Sequence, residues 1–536
     1  MTVSVPPVTA ERYHALDAFR ASAMLLGIIF HAAWMYSPLP GISPPIIDAS
    51  GNYVFSYIVY MTHIFRMSGF FLIAGFFAHL VLDRRGTATF VRQRLKRIAL
   101  PFVVGWAILW PAFFIAYQYG AMETGTYFAP VSPWKLLLGI HLDWQVFLRA
   151  YGLTHLWFLN VLLWLSVATL ILVWVWRRCV DRPGHLTTKL TDWLAGWMRT
   201  PLVIPLLALV STPPLYFSQW FGITTPLKIV PLWPSFLAYW IYFLVGWLFY
   251  ARLDLLREFD RRWKLHLILG TAVSIALFLF YKENANAGRL TDPQRYPVLA
   301  GNEIQQWPSF RARLVQAGSE ETASVARNVW LAMPPSARDF TTTNETVTPH
   351  QQNALARILN SRVLASTNLT AGVALDTSSL PPDLVALLDQ PEAERDPFLL
   401  NRKWMEWAFP GAIMPSDLDL PEVRWRKAGY SLAYAVSAWC LIFGSLGFFR
   451  RCFSHPSAAW RYAADSSYWL YLVHLPIMFA IEISMASLDW PAWIKFPMLL
   501  LVAMLIMLPS YHYLVRSTFI GAVLNGARKG KGHGGG

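Results

Sequence analysis

Stretches of about 20 mostly apolar residues, the length a helix needs to cross the hydrocarbon core of a bilayer, recur along this chain and constrain it more than any other feature. They centre near 18–37, 54–81, 99–119, 156–176, 202–221, 234–251, 264–281, 430–449, 466–487 and 494–514. The pattern predicts an all-α integral membrane protein of about ten transmembrane helices. Only 14% of the residues are charged, far from the roughly one quarter of a soluble domain, so the lipid bilayer is the main solvent. Trp34, Trp157, Trp176 and Trp247 fall at segment ends, where amphipathic rings favour the headgroup level. The opening MTVSVPPVTAERYHALDAF lacks a charged region followed by a short apolar run and a small-residue cleavage site. The first apolar segment is therefore expected to be retained as a helix.

Orientation follows from the short loops, because cytoplasmic loops keep an excess of Lys and Arg. Basic residues crowd every second connection: Arg84, Arg85, Arg92, Arg94, Lys96 and Arg97, then Arg177, Arg178, Arg182, Lys189 and Arg199, then Arg252, Arg257, Arg261, Arg262 and Lys264, then Arg450, Arg451 and Arg461. The intervening short loops hold almost none; 38–53 has no Lys or Arg and 222–233 has only Lys228. Both termini are expected to be cytoplasmic. The division expected is a membrane domain at 1–282, a mostly helical extracytoplasmic insert at 283–429, further membrane helices at 430–515 and a flexible basic and Gly-rich tail at 516–536. The insert carries slightly more Asp and Glu than Lys and Arg, so the net charge of +14 belongs to the membrane part. The high isoelectric point thus reflects topology and does not point to nucleic-acid binding. No internal repeat, Gly-rich phosphate loop, HExxH or CxxC spacing occurs, so no metal is expected. Cys179, Cys440 and Cys452 fall in membrane helices or cytoplasmic loops and draw no disulfide framework.

The chemistry-bearing residues concentrate in the first two helices. In LDAFRASAMLLGIIFHAAW, Arg20 precedes His31 by eleven residues, which at about 100° and 1.5 Å each return to nearly the same face some 16 Å higher. Asp17 falls on that stripe and can pair with Arg20. The second helix reads HIFRMSGFFLIAGFF, placing His63 and Arg66 one turn apart on one face at the depth of His31. Ionisable groups in a bilayer cost roughly 2.5–3.5 kcal/mol each on insertion scales and normally face the bundle interior or a water-filled cavity, so three at one level argue for a site. The plainer alternative is that a lone His bridges helices and Arg20 reaches the interface. His155 in THLWFLN and His474 in SYWLYLVHLP can each be an interfacial residue or a substrate contact. Glu482 can serve an acceptor or simply pair with a nearby donor. Arg92, Arg94 and Arg97 either set topology or bind an anion through paired guanidinium donors.

At these residues the sequence resembles the acyltransferase-3 family of ten-helix membrane acyltransferases. The family's basic residue, ten residues and histidine match Arg20 to His31; its Arg-x-x-Arg matches Arg94 to Arg97; and SGFFL, Ser68 to Leu72, resembles its Ser-Gly motif. HIFRM, FFLIAGFF, RRG and RQRLKRIALPF look most like the branch that contains glucans biosynthesis protein C, associated with succinylation of periplasmic glucans. The resemblance covers about residues 12–280 and 430–515, most strongly in the first hundred, and the insert departs from the family pattern. It implies a bacterial inner-membrane enzyme moving an acetyl or succinyl group from cytoplasmic acyl-CoA (acetyl-CoA or succinyl-CoA) to hydroxyls of a glucan or other extracytoplasmic polysaccharide. On that reading His31 is the general base, with Arg20, Asp17, His63 and Arg66 around it. Arg92, Arg94, Arg97 and Ser68 then hold the donor, and His155 and Glu482 face the acceptor. A secondary transporter or flippase would also place ionisable groups at mid-membrane. A third alternative is a sugar-binding scaffold.

Overall fold

The computed structural model describes residues 13–37, 48, 50–123, 152–181, 184–218, 220–286, 382, 386, 421–486, 488 and 490–525. Among them the regular elements are all helical, the class expected. They are α1 (His14–Met35), α2 (Tyr53–Arg94), α3 (Leu100–Glu123), α4 (Trp157–Val175), α5 (His185–Met198), α6 (Val203–Tyr216), α7 (Trp233–Ala251), α8 (Leu255–Asn286), α9 (Pro421–Cys452), α10 (Ala458–Ala486), α11 (Ala492–Ser510) and α12 (Phe519–Asn525). Among the described residues eight stretches are long and apolar enough to cross a membrane, or up to nine if a bent pair counts as one span. The protein is multi-pass. The expected insert falls almost wholly outside the described residues.

Three departures from the expected segments have local causes. The second and third apolar runs are joined as one helical stretch, Tyr53–Phe113, through a π turn at Leu95–Ala99. Its break is Gly86, at φ 73° and ψ 171°, a conformation only a residue without Cβ adopts freely. The run at 202–221 yields only α6, whose 14 residues reach about 21 Å, short of a full crossing. It is bent by 110° against α5. Pro201 lies between the two and cannot donate the amide that continues a helix, while α6 stops soon after Pro213 and Pro214. The tail expected to be flexible instead begins with α12. Its Val523 and Leu524 are buried, and the Asn525 amide donates to the Asp465 carbonyl at 2.8 Å. Residues 526–536 lie outside the described set.

Small residues allow the tightest crossing, between α2 and α7. A Cβ on Gly75 would lie 1.9 Å from the Phe243 carbonyl oxygen, and one on Gly246 would lie 1.7 Å from that of Leu72. Such contacts let membrane helices gain dispersion energy backbone to backbone. Helix α9 runs through the centre with Trp439 and Tyr434 buried, packed along α8 and also touching α1, α2 and α6. At the basic connections Arg450 grips Asp260 with two bonds of 2.8 and 3.1 Å, Arg252 pairs with Asp192 and Arg199 with Asp254. The hydrogen bond from Arg199 holds the Asp254 carboxyl below the usual carboxylate range. Helix α1 lies against α2 and α10, so its polar stripe looks into the bundle.

Candidate functional site

The His31 ring centroid is 5.1 Å from that of His474 on α10, and its electrostatic neighbours are His474, Arg66 and His155. Arg66 reaches α1 because Gly27 leaves a notch there. A Cβ at Gly27 would meet the Arg66 Nη1 at 2.5 Å. The guanidinium lies over Phe30, with Cζ 4.9 Å from the ring centroid. Its buried Nε finds no hydrogen-bond partner, and among the described residues no carboxylate pairs with it. Burying a cation without a counter-charge costs several kcal/mol, so this guanidinium is poised for an anion. One turn away on α2, His63 directs Nδ1 towards the Tyr434 hydroxyl at 3.3 Å and packs 4.6 Å from the Phe221 ring.

His155 enters from a short 3₁₀ turn, Thr154–Leu156, and its position follows from a proline elsewhere. Pro476 lies inside α10 and has no N–H for the carbonyl four residues back. That carbonyl, of Leu472, instead accepts from His155 Nε2 at 2.9 Å. The Tyr471 hydroxyl donates to the His155 carbonyl at 2.6 Å, and the His155 and His474 rings are 5.2 Å apart. Thr154 takes φ 45°, a strained value for a β-branched residue, at the turn that aims this histidine. His474 donates from Nδ1 to the Tyr471 carbonyl at 2.6 Å. Two of the three imidazoles thus commit a nitrogen to backbone, and among the described residues no group of three His, Cys, Asp or Glu side chains has metal-binding geometry.

The other expected site residues fall into separate places. Arg20 pairs with Asp17 at 3.2 Å, but eleven residues of helix put it about 16 Å from His31. Its electrostatic neighbour is Arg97, which also feels Arg85, and Arg94, beside Arg97, packs over Phe90 at 4.7 Å. These arginines form one basic cluster at the end of α1 remote from the histidines, with Arg92 exposed nearby in sequence. Ser68, two residues after Arg66, projects from the opposite side of α2 and is buried beside Tyr242. It shares neither the histidine cluster nor the arginine cluster. Glu482 stands eight residues past His474, about 12 Å along α10. One of its oxygens accepts from the Tyr36 hydroxyl at 3.0 Å and the other is buried without a partner.

Beside Glu482 lies a buried ion pair that the sequence reading missed, Lys495 Nζ to Asp48 at 2.7 Å. The only signal was one Lys inside the apolar run at 494–514. The arrangement therefore comprises a basic cluster at one end of α1, a guanidinium midway among imidazoles with no paired carboxylate among the described residues, and a carboxylate group further along α10. A basic nitrogen next to a cation can take a proton from a hydroxyl while a negative charge develops nearby.

The family model described as "Acyltransferase domain" matches residues 13–307, more than half of the chain. Curated relatives include proteins named Glucans biosynthesis protein C from Escherichia coli strains SMS-3-5 / SECEC and K12. Each is 30% identical over 174 residues, 32% of this chain and 41% of the relative. The match thus spans less than half the length of those relatives. No solved structure matches.

Proposed function

Because the chain belongs to the acyltransferase family matched over residues 13–307, we propose that it is a membrane-embedded O-acyltransferase carrying an acetyl or succinyl group from cytoplasmic acyl-CoA to hydroxyls of an extracytoplasmic glucan or related polysaccharide. The observation that carries this reading is Arg66, buried beside His31 with no counter-ion among the described residues. In the proposed reaction His31 removes the proton from the acceptor hydroxyl as its oxygen bonds to the thioester carbon. Arg66 steadies the oxyanion that forms. Collapse breaks the carbon–sulfur bond, and the proton on His31 passes to the departing thiolate. Arg20, Arg94 and Arg97, with Arg92 at the surface, form a site suited to the phosphates of the donor, whose pantetheine arm would run along the α1 stripe from that cluster towards His31. Asp17 holds Arg20. His63, His155 and Glu482 lie on the acceptor's side of the path.

The proposal places the chain in a bacterial inner membrane with ten crossings, the bent α5–α6 pair counted as one, and both termini cytoplasmic. The 61 helical residues from Tyr53 to Phe113 would extend about 90 Å if straight, roughly three hydrocarbon cores, so they supply two crossings folded at Gly86. The insert then faces outward, where a polymer arrives. Calorimetric binding of acetyl-CoA and succinyl-CoA to protein in nanodiscs tests the donor assignment. Binding is expected for wild type and His31→Ala and is expected to weaken in the Arg94→Ala, Arg97→Ala double variant. Absence of binding by either donor would contradict it.

A further inference from the structure

A histidine that acts as a base through one ring nitrogen needs the other held as an N–H donor, or its tautomer is undetermined. In hydrolase triads a carboxylate does this. His31 has no such carboxylate among the described residues; the charged and titratable groups facing it are Arg66 from α2, His474 from α10 and His155 from the 3₁₀ turn. Its Nδ1 is buried and lacks a partner. His474 donates from Nδ1 to the Tyr471 carbonyl, so in the neutral ring Nε2 keeps the lone pair. That Nε2 is likewise buried without a partner.

Two unsatisfied buried nitrogens, one an available acceptor and the other able to donate, occupy neighbouring rings whose centroids are 5.1 Å apart. That separation is one at which two imidazole nitrogens turned towards each other come within hydrogen-bond distance. Leaving both unpaired forfeits the hydrogen bonds that each would make in water.

We propose that His474 is the positioning residue of His31: its Nε2 accepts from His31 Nδ1–H, leaving His31 Nε2 as the nitrogen that takes the hydroxyl proton. The inference rests on the reading of His31 as the base. The chain runs from the Tyr471 carbonyl through His474 to His31, and His155, fixed on Leu472 with its ring against His474, braces the far side. A neutral acceptor has a reason here. A carboxylate in its place would pair with Arg66 and remove the positive charge that the oxyanion needs.

The test compares His474→Ala, His474→Gln and His474→Glu in the full-length protein, with turnover measured against pH and donor binding measured calorimetrically as a check on folding. His474→Ala is expected to lower kcat by about 10–100-fold with KM unchanged. His474→Gln, which keeps an acceptor oxygen, is expected to recover most of that loss. His474→Glu is expected to lower kcat, because its carboxylate also pairs with Arg66, and to move the acid limb of the remaining activity to higher pH, because a nearby carboxylate stabilises the imidazolium and the base works only above its pKa. Wild-type kcat in His474→Ala, no recovery in His474→Gln, or an unmoved acid limb in His474→Glu would overturn the proposal. Nitrogen-15 NMR of labelled histidines reads the His31 tautomer without turnover. An Nδ1–H signal in wild type that becomes mixed in His474→Ala supports the pairing even in a chain inactive towards acyl-CoA, an outcome that would sink the acyltransferase reading alone; a mixed wild-type signal sinks the pairing.

Discussion

Gly27→Ala separates activity from stability at the proposed oxyanion site. The added methyl would lie 2.5 Å from Arg66 Nη1, where ordinary contact begins at 3.4 Å. The obstructing atom is the end of a long side chain, so the guanidinium retreats by about 1 Å while the α1 and α2 backbones stay in place. A displacement of that size at a reacting centre costs on the order of 10²-fold in rate, equivalent to about 2.7 kcal/mol of transition-state stabilisation. Alanine also favours the middle of a helix over glycine by roughly 0.5–1 kcal/mol, so thermal stability should hold or rise. The assay is initial-rate thiol release in nanodiscs at saturating donor and acceptor, with thermal unfolding followed on the same samples. The double variant with Arg66→Met should be no slower than Arg66→Met alone, since both changes remove the same contact. A Gly27→Ala protein with wild-type kcat, or losses that simply add in the double variant, would refute the assignment of Arg66.

Two further changes probe the frame around the site. Lys495→Met strands Asp48 without its buried partner and should destabilise the protein by about 3–5 kcal/mol, whereas the Lys495→Met, Asp48→Leu pair should recover most of it; detergent thermal melts of both report the result. Pro476→Ala restores an amide for the Leu472 carbonyl, which then competes with His155 Nε2. Stability should hold or improve, since an internal proline costs a helix about 3 kcal/mol, while transfer should slow; equal activity would show that the His155 anchor is dispensable.

Much of the membrane architecture was legible because a crossing demands an uninterrupted apolar length, and the runs that became α1, α4, α7 and α11 show it directly. Counting apolar residues could not foresee that Pro201 and Pro213–Pro214 would cut the run at 202–221 into a short bent helix, since proline interrupts hydrogen bonding without lowering the hydropathy of its neighbours. The distance between Arg20 and His31 was readable from their spacing, and the three residues expected at one level, His31, His63 and Arg66, all pack against Phe30. Ser68 was named as a donor contact from its motif alone, and two residues of helix turn it away from Arg66. What stayed hidden were contacts between distant segments. The Lys495–Asp48 bond joins residues 447 apart, and the place of His474 beside His31 depends on α10 packing against α1. One clue to that corner was present in HLP: a proline two residues after a histidine frees a carbonyl on the same helix, and here a third segment claims it.

The central claim is that His31 performs acyl transfer, and acceptor-dependent release of free thiol from acyl-CoA by the reconstituted protein tests it most directly. Wild type should release thiol and yield acylated glucan in equal amounts, with both lost in His31→Ala although that variant still binds the donor. Acceptor crossing the bilayer without thiol release, or transfer undiminished in His31→Ala, would contradict the account.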